Sequence, residues 1–241
     1  MGSSFGIISQ TGNNIQTEGL VFYIDAAYKI SYPRSGTQWN NLQNTSTSGS
    51  LLNNPSFDSN NLGSIVLDGS DDRVDIESIV PSLNLSAGTM DIWFKPHSNT
   101  GWKYLISTGN RDSNWNVNHY NVGYNHDDQK IGVFVYGSTT TSDDTIGEGV
   151  FTENSIHNFV VASDGKTYVN GIEEANTLGA SWFNSPDTVN FFDLGVIEFS
   201  STVFGSQEYD GGIYSFKIYN RALSAEDVLQ NYNAQKGRFG L

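Results

Sequence analysis

Apolar and polar residues alternate along most of this chain in short runs, a pattern typical of β-strands. In residues 214–219, for example, Tyr214, Phe216 and Ile218 alternate with residues of a second face. A period of two places alternate side chains on the same side of a strand. We therefore predict that a strand with one buried face closes the domain.

A short helical pattern over residues 225–234 follows that strand. Ser224 precedes it and is predicted to cap the helix, because a serine oxygen accepts hydrogen bonds from the first free backbone N–H groups. The acidic pair 226–227 lies in the first turn, where the helix dipole favours negative charge. Residues 236–237, Lys-Gly, are predicted to end the helix.

The same period of two predicts further strands upstream. They cover residues 19–26, 64–68, 74–76, 89–95, 104–107, 131–136, 157–162, 167–171 and 191–195. No low-complexity linker and no internal repeat divides this series. We therefore predict one all-β domain over residues 19–241. Residues 1–18 form an N-terminal arm that docks either on a neighbouring molecule or on its own domain.

Motifs in the middle and at both ends resemble the laminin-G-like (concanavalin A-like) jelly-roll family. Residues 219–224, YNRALS, are similar to the turn after the last strand of that family, and residues 168–171, YVNG, resemble its middle signature. The opening strand, residues 19–26, and the ending within residues 230–240 resemble those of tailed-bacteriophage structural proteins. The resemblance implies a two-sheet antiparallel jelly-roll sandwich with a short C-terminal helix.

An acidic turn follows the predicted strand 64–68 and is a candidate metal site. Asp68, Asp71 and Asp72 repel one another unless water or a cation lies between them, and Ca²⁺ prefers such oxygen ligands. The resemblance implies that this turn lies near the last strand, where Asp210 is the nearby acid. Many family members instead carry an acidic pair where this chain has Tyr214 and Ser215. The alternative is that Asp68 caps its turn and the other two aspartates are solvated.

Loop aromatics are candidate contacts to a glycan or to a partner. A pyranose ring stacks on an exposed aromatic ring while its hydroxyls bond to flanking polar groups. The same residues can instead pin long loops to the body, or contact a neighbouring subunit. The candidates are Trp102, Trp115, Tyr120, Tyr124 and Trp182.

No catalytic pattern emerges from the sequence, so we predict a protein that is not an enzyme. Some enzymes of this fold cleave β-glucans with a Glu-x-Asp-x-x-Glu strand. Residues 208–210 begin such a pattern, but Ile213 stands where the second glutamate belongs. The chain also lacks cysteine and a Gly-x-Ser-x-Gly nucleophile turn.

The charge balance limits the classes of partner that the chain is expected to bind. Lys and Arg total 12 against 26 acidic residues, a formal net charge of −14 that repels nucleic acid and anionic membranes. Residues 1–5 lack the features of a secretion signal, and no apolar run reaches the roughly 18 residues of a membrane span.

Together with the resemblance, these features predict a non-enzymatic surface or structural protein in the virion of a tailed phage. It would be a capsid decoration or a tail-associated component, made in the host cytoplasm, that presents a glycan-binding surface. The predicted partners are other virion proteins, further copies of the chain and cell-surface glycans. The alternative is a free-standing, lectin-like carbohydrate-binding protein, and a glycoside hydrolase is the third class.

Overall fold

The structure is a computed structural model that describes most of the chain. The described residues are 14–97, 99–112, 119–136, 141–146, 151–174, 189–199, 202–203 and 207–241. Within these ranges, strands dominate and form two large antiparallel sheets, with one short α-helix near the C-terminus. The predicted fold, a two-sheet antiparallel sandwich with a C-terminal helix, is confirmed.

The described strands and helices follow one another in an order close to the predicted one. The strands are β1 (Leu20–Asp25), β2 (Gln38–Asn40), β3 (Ser48–Leu52), β4 (Ser56–Asp58), β5 (Ser64–Asp68), β6 (Arg73–Asp75), β7 (Thr89–Pro96), β8 (Trp102–Gly109), β9 (His119–Asn125), β10 (Lys130–Tyr136), β11 (Thr141–Ile146), β12 (His157–Ala162), β13 (Thr167–Val169), β14 (Ile172–Glu173), β15 (Phe191–Leu194), β16 (Glu198–Phe199), β17 (Thr202–Val203) and β18 (Asp210–Tyr219). The helices are α1 (Ala225–Gln235) and the 3-10 segments Asn60–Leu62, Glu77–Ser82 and Lys236–Phe239.

The first sheet is built around the closing strand. Its order is β14-β13-β12-β7-β18-β5-β4, and β1 also pairs with β18. The second sheet has the order β11-β10-β9-β8-β15-β6-β3-β2, while β16 and β17 form a small ribbon. Strands distant in sequence are therefore neighbours in both sheets, as in other jelly rolls.

The core lies between the two sheets, because each sheet turns its apolar side chains inward. In β7, Met90, Ile92 and Phe94 enter the main core cluster, as the alternation predicts. Val122 of β9 and Leu194 of β15 meet them from the second sheet. Each such fully buried side chain stabilises the fold by about 1.5–3 kcal/mol.

The C-terminal helix covers the outer face of the first sheet. Ser224 forms a capping box with Asp227, which confirms the predicted helix start. Trp93 of β7 stacks on Tyr232 at 5.5 Å between ring centroids and on Phe239 at 4.5 Å. The helix therefore buries a face of the sheet that a two-layer sandwich would leave in water.

The last residues of the chain are also fastened to the first sheet. Helix α1 ends at Gln235 with Lys236 as its C-cap, close to the predicted stop at residues 236–237. The chain then continues as a 3-10 segment that ends at Gly240, whose φ of 73° is left-handed. Arg238 donates to Asp25 at 2.7 Å and to the carbonyl of Gly63 at 2.6 Å. This ion pair fixes the ending against the start of the domain.

The described end of the N-terminal arm lies against the same helix. Ile15 is buried in a second apolar cluster beneath α1. The Gln16 backbone N–H donates to Asn231, and the Gln230 side chain donates to the carbonyl of Asn14. Of the two predicted locations for the arm, residues 14–18 thus occupy the one on their own domain.

Candidate functional site

A row of polar residues crosses the outer face of the second sheet. Ser50, Asp75, Asp193, Ser107 and Asn121 are successive cross-strand partners on β3, β6, β15, β8 and β9. Directly paired residues project from the same face of a sheet. Since their neighbours along the strands face the core, this row lies on the opposite side.

Charged side chains gather around the centre of this row, and we call them the carboxylate–arginine site. Its members are Arg73, Asp75, Glu77, Arg111, Asp193 and Glu198. Arg111 connects them, because its Nε and Nη2 donate to the two oxygens of Glu198 at 2.8 and 3.3 Å. Its Nη1 donates to Glu77 at 3.0 Å, and its guanidinium lies 5.2 Å from the Phe191 ring centroid. This two-pronged geometry is one that arginine makes and lysine cannot.

Asp193 is the most deeply buried acid of the site, with 1% of its surface exposed. The nearest guanidinium nitrogens, Nε of Arg73 and Nη2 of Arg111, are 3.7 and 3.8 Å away, beyond hydrogen-bond range. Burial, together with the hydrogen bond and the charge of Glu198, raises the pKa of Asp193 to about 8. Asp193 therefore keeps its proton at neutral pH.

This retained proton makes stability depend on pH. Unfolded aspartate ionises near pH 3.9, so the folded state binds more protons between about pH 4 and pH 8. The contribution of Asp193 is complete below that window and is lost as the pH rises through it. We expect Asp193→Asn, which keeps the shape and cannot ionise, to flatten this fall in urea-unfolding free energy. If the unfolding free energy of the variant falls with pH as steeply as that of the original chain, Asp193 does not hold the proton assigned to it.

An open cleft of about 250 Å³ adjoins the carboxylate–arginine site. Ser48, Ser50, Asp75, Glu77 and Ser78 line it. Its wall is held in place because the Ser78 hydroxyl donates to the carbonyl of Ser48 and accepts from the Ser48 N–H. The volume lies just below the range of about 300–1,000 Å³ found for ligand pockets, which fits one small polar ring.

Trp102 lies on the same outer face, at the other side of the sheet. It packs edge-to-face on Phe134 with 5.0 Å between ring centroids and is half-buried. The indole also covers Gly132, where an added Cβ would lie 2.7 Å from it, so a side chain there would displace the tryptophan. Of the predicted aromatic contacts that the structure describes, Trp102 is thus the one with an accessible surface.

Tyr120 and Tyr124 are not loop residues, contrary to the sequence-based interpretation. Both lie on β9 and face the core, with 1% and 0% of their surface exposed. The Tyr124 hydroxyl donates to the carbonyl of Phe151 at 2.7 Å, and burial raises the pKa of Tyr124 to about 12. The prediction that both tyrosines belong to an exposed sugar platform was therefore wrong, because they are core residues. Trp115 and Trp182 lie outside the described residues.

The predicted acidic turn does bring its three aspartates together. Carboxylate oxygens of Asp68, Asp71 and Asp72 all lie within 4.8 Å of one another. Burial, then the charge of Asp68, raises the pKa of Asp72 to about 6. A site that raises an acid's pKa in this way disfavours its negative charge, and a bound cation would remove that cost.

Asp210 stands beside this turn but outside the group of three. It is the cross-strand partner of Asp68, so the acidic turn lies next to the last strand, as the resemblance implied. Gly69 makes this approach feasible, because an added Cβ would lie 2.8 Å from the Cβ of Asp210. The Asp210 carboxylate, however, lies 2.9 Å from Nδ1 of His97, which gives it a different partner.

Sequence reasoning missed the carboxylate–arginine site altogether. One signal was available: Asp193 interrupts the otherwise apolar run of residues 191–194, and a charged residue inside a buried strand requires compensation. Glu198, between Ile197 and Phe199, gave a similar signal, whereas Arg111 lies in a polar stretch and gave none. Only the pairing of β15 with β6 and β8 brings these residues together.

Comparison with known proteins agrees with this fold. A family model described as "Concanavalin A-like lectin/glucanases superfamily" matches residues 68–229. The chain belongs to this superfamily. The predicted jelly-roll family is thereby confirmed, and the match extends from the acidic turn into the C-terminal helix of this lectin/glucanase-type domain. A search of curated protein sequences gave no match.

Solved structures of similar fold come from sialidases and their binding modules. The K499G mutant of NanB sialidase from Streptococcus pneumoniae is 18% identical with a TM-score of 0.58, over 69% of this chain and 27% of the sialidase chain. The CBM40 module of the Ruminococcus gnavus IT-sialidase, bound to α2,3 sialyllactose, is 16% identical with a TM-score of 0.59, over 69% and 94%. A Trypanosoma rangeli sialidase is 13% identical with a TM-score of 0.68, over 94% and 34%. These identities show a shared fold, and the chain spans about a quarter of the NanB sialidase.

None of the helices among the described residues combines the length and the apolar character that a membrane span needs.

Proposed function

We propose that this domain binds carbohydrate on the outer face of its second sheet, in the cleft beside Glu77. The observation that carries the proposal is the cleft itself, where serine hydroxyls and carboxylates line one wall of the carboxylate–arginine site. Sugar hydroxyls both donate and accept hydrogen bonds, so a wall that offers both kinds of partner is complementary to them. Trp102, on the same face, is the proposed stacking surface for a longer glycan.

The similar structures support this proposal. The R. gnavus CBM40 module has been solved with α2,3 and with α2,6 sialyllactose, so in that protein a domain of this fold and of comparable size binds glycans. This chain covers 94% and 96% of those modules but only 27% of the NanB sialidase. The extent of the likeness therefore favours a binding module over a whole hydrolase.

We further propose that the domain binds without cleaving. Glycosidases need two carboxyl groups on either side of a scissile bond, about 5–9.5 Å apart. Here Asp193 and Glu198 are 1% and 5% exposed, so neither carboxyl group is open to a glycosidic oxygen. Glu198 is also held by two nitrogens of Arg111. This arrangement supports a role in shaping the binding face.

The proposal is tested by filling the cleft. Ser50 is exposed at the cleft, and we expect Ser50→Leu to weaken glycan binding at least tenfold, since it replaces a hydroxyl with a bulky apolar group. Ser56→Leu is the matched control, because Ser56 is an exposed strand serine on the first sheet. Binding is measured by glycan array and calorimetry. Binding that survives Ser50→Leu, or no binding to any glycan, would refute the proposal.

Trp102 is tested in the same assay as the proposed stacking surface. We expect Trp102→Ala, which removes the ring, to weaken the binding of longer glycans. Trp102→Phe keeps an aromatic face and should weaken that binding less.

We also propose that Asp68, Asp71 and Asp72 hold a structural Ca²⁺. Their carboxylates supply hard oxygen ligands within one ion's reach, which is the donor set that Ca²⁺ prefers. The cation would offset the burial and the repulsion from Asp68 that raise the pKa of Asp72. Because Asp210 lies beside His97, the three aspartates are the ligands proposed from the described residues.

Calcium is tested by its effect on the melting temperature. A ligand that binds only the folded state must stabilise it, so we expect Ca²⁺ to raise the melting temperature and a chelator to reverse the rise. With chelator present and above about pH 6, Asp72→Asn should be more stable than the original chain, because the disfavoured charge is gone. With Ca²⁺ present the order should reverse. Asp128→Asn, an exposed change elsewhere, is the control, and indifference to Ca²⁺ would end the proposal.

Membership of a phage virion stays a prediction that depends on the opening strand and the C-terminal ending. None of the similar structures described above is a phage protein, and they favour the alternative of a carbohydrate-binding protein. Virion partners and self-assembly likewise stay predictions.

A further inference from the structure

The charge balance of the proposed glycan site carries a further inference, which rests on the proposed function. We infer that the site accepts uncharged glycans and excludes glycans that present a carboxylate, such as those ending in sialic acid. The inference sets this chain apart from the R. gnavus module of the same fold, which was solved with sialyllactose.

The carboxylate–arginine site is negatively charged as a whole. It contains four carboxyl groups and two guanidinium groups, so it stays negative even when Asp193 holds its proton. His119 lies close enough to Glu198 to interact with it, but burial lowers the pKa of His119 to about 4, so it adds no positive charge. The chain as a whole carries a formal charge of −14.

Arg111, the guanidinium that holds the cleft residue Glu77, is already committed to protein carboxyls. Bidentate recognition of a sugar carboxylate by arginine uses two parallel N–H groups on one edge of the guanidinium. In Arg111 that edge, Nε and Nη2, is occupied by Glu198, and Nη1 is bonded to Glu77. Arg73 lies outside the cleft lining, with its Nε 3.7 Å from buried Asp193.

The charged groups that reach the cleft are acceptors. The Glu77 side chain is 49% exposed, and Asp75 shares the lining with it. Both can accept hydrogen bonds from sugar hydroxyls, as carboxylates do in many polar sites. A sugar carboxylate in the same place would face like charges, and the donors in the cleft lining are neutral serine hydroxyls. Such unfavourable contacts create specificity.

The experiment compares matched glycans that differ in one charge. The full chain is titrated by calorimetry with lactose and α2,3-sialyllactose, and a glycan array supplies further cores with and without sialic acid. We expect the neutral member of a pair to bind at least tenfold more tightly at low salt. The difference should shrink as salt rises, because ions screen exposed charges beyond about 10 Å at 0.1 M.

Two charge-neutralising variants sharpen the test. Glu77→Gln and Asp75→Asn each remove one negative charge at the cleft and keep an acceptor oxygen. Each should raise the affinity for the sialylated member relative to the neutral one at least threefold. Glu226→Gln, an exposed change on α1, is the control and should leave the ratio unchanged. Melting curves verify that each variant is folded.

The possible outcomes separate the two proposals. Sialylated glycans bound as tightly as their neutral counterparts, or more tightly, would overturn the inference while carbohydrate binding stands. A preference for neutral glycans that neither salt nor the two variants alter would also overturn it, because the preference would then not come from these charges. A chain that binds no glycan of any kind contradicts the proposed function, and the inference falls with it.

Discussion

Replacing Asp91 with alanine is expected to destabilise the fold by about 3–5 kcal/mol, the range measured for breaking a buried ion pair. Asp91 lies on the outer face of the first sheet, where its Oδ2 is 3.1 Å from Nζ of Lys217. The two side chains are 1% and 0% exposed. Asn158 also donates to Asp91 at 2.7 Å. Without the carboxylate, a buried ammonium group keeps its desolvation cost and loses its partner.

A double-mutant cycle distinguishes this explanation from a simple loss of packing. Lys217→Met removes the charge and keeps much of the volume, so Asp91→Ala combined with Lys217→Met should be more stable than Asp91→Ala alone. The measurement is the free energy of unfolding in urea at neutral pH for the four chains. A single variant within about 1 kcal/mol of the original chain, or a double variant no better than the single, would show that the ammonium is not the cause.

The helix that packs over this ion pair also explains why the proposed site lies on the second sheet. Helix α1 contributes Asn231 to Asp91 and Tyr232 to Trp93, and it closes the outer face of the first sheet. A glycan cannot reach that face while the helix is docked. Helix α1 packs on the first sheet and so leaves open the cleft on the second sheet, where Ser50 and Glu77 are exposed.

The sequence was sufficient to predict the elements in which local pattern and burial agree. The position of the closing strand and the cap at Ser224 were correct because each is decided by residues close together in the chain. The single buried face predicted for that strand was wrong, because α1 covers the other face. Asp68, Asp71 and Asp72 lie close together, as their positions within one turn of the backbone indicate.

Strand β9 shows where such reasoning fails. Tyr120, Val122 and Tyr124 do alternate, but they are interleaved with His119 and with Asn and Gly residues that are typical of loops. Those interleaved residues are buried as well, which a two-layer pattern does not anticipate. Residues 197–198 help to explain this burial, because Ile197 packs on the outer face of the sheet and the N–H of Glu198 bonds to Ser107.

The carboxylate–arginine site could not have been predicted for a different physical reason. A period of two assigns a residue to a face, but it does not determine which strands become neighbours or in which register. Asp75 and Asp193 are opposite one another only because β6 pairs with β15. That pairing depends on the packing of the whole sandwich.

Arg111 should therefore be the residue on which both the stability and the binding of this site depend. We expect Arg111→Met to lower the free energy of unfolding by about 3 kcal/mol at neutral pH, the low end for a buried ion pair, because 26% of the Arg111 side chain is exposed. Asp193 would lose one of its two nearby cations, so its folded-state pKa would rise further above its unfolded value. The loss of stability should accordingly be smallest well below about pH 8, the folded-state pKa of Asp193, and should grow as the pH rises through it.

Arg111→Lys separates charge from geometry. Lysine restores a positive charge, so it should recover part of the stability at neutral pH, but one ammonium cannot hold Glu198 and Glu77 together as the planar guanidinium does. Glu77 would then be free to move at the cleft, and glycan affinity should stay at least tenfold below that of the original chain. Urea unfolding at about pH 5 and pH 9, with calorimetry on the same samples, measures both effects. If Arg111→Lys binds glycan as tightly as the original chain, or if the loss of stability in Arg111→Met is the same at both pH values, the Arg111 guanidinium does not organise the site.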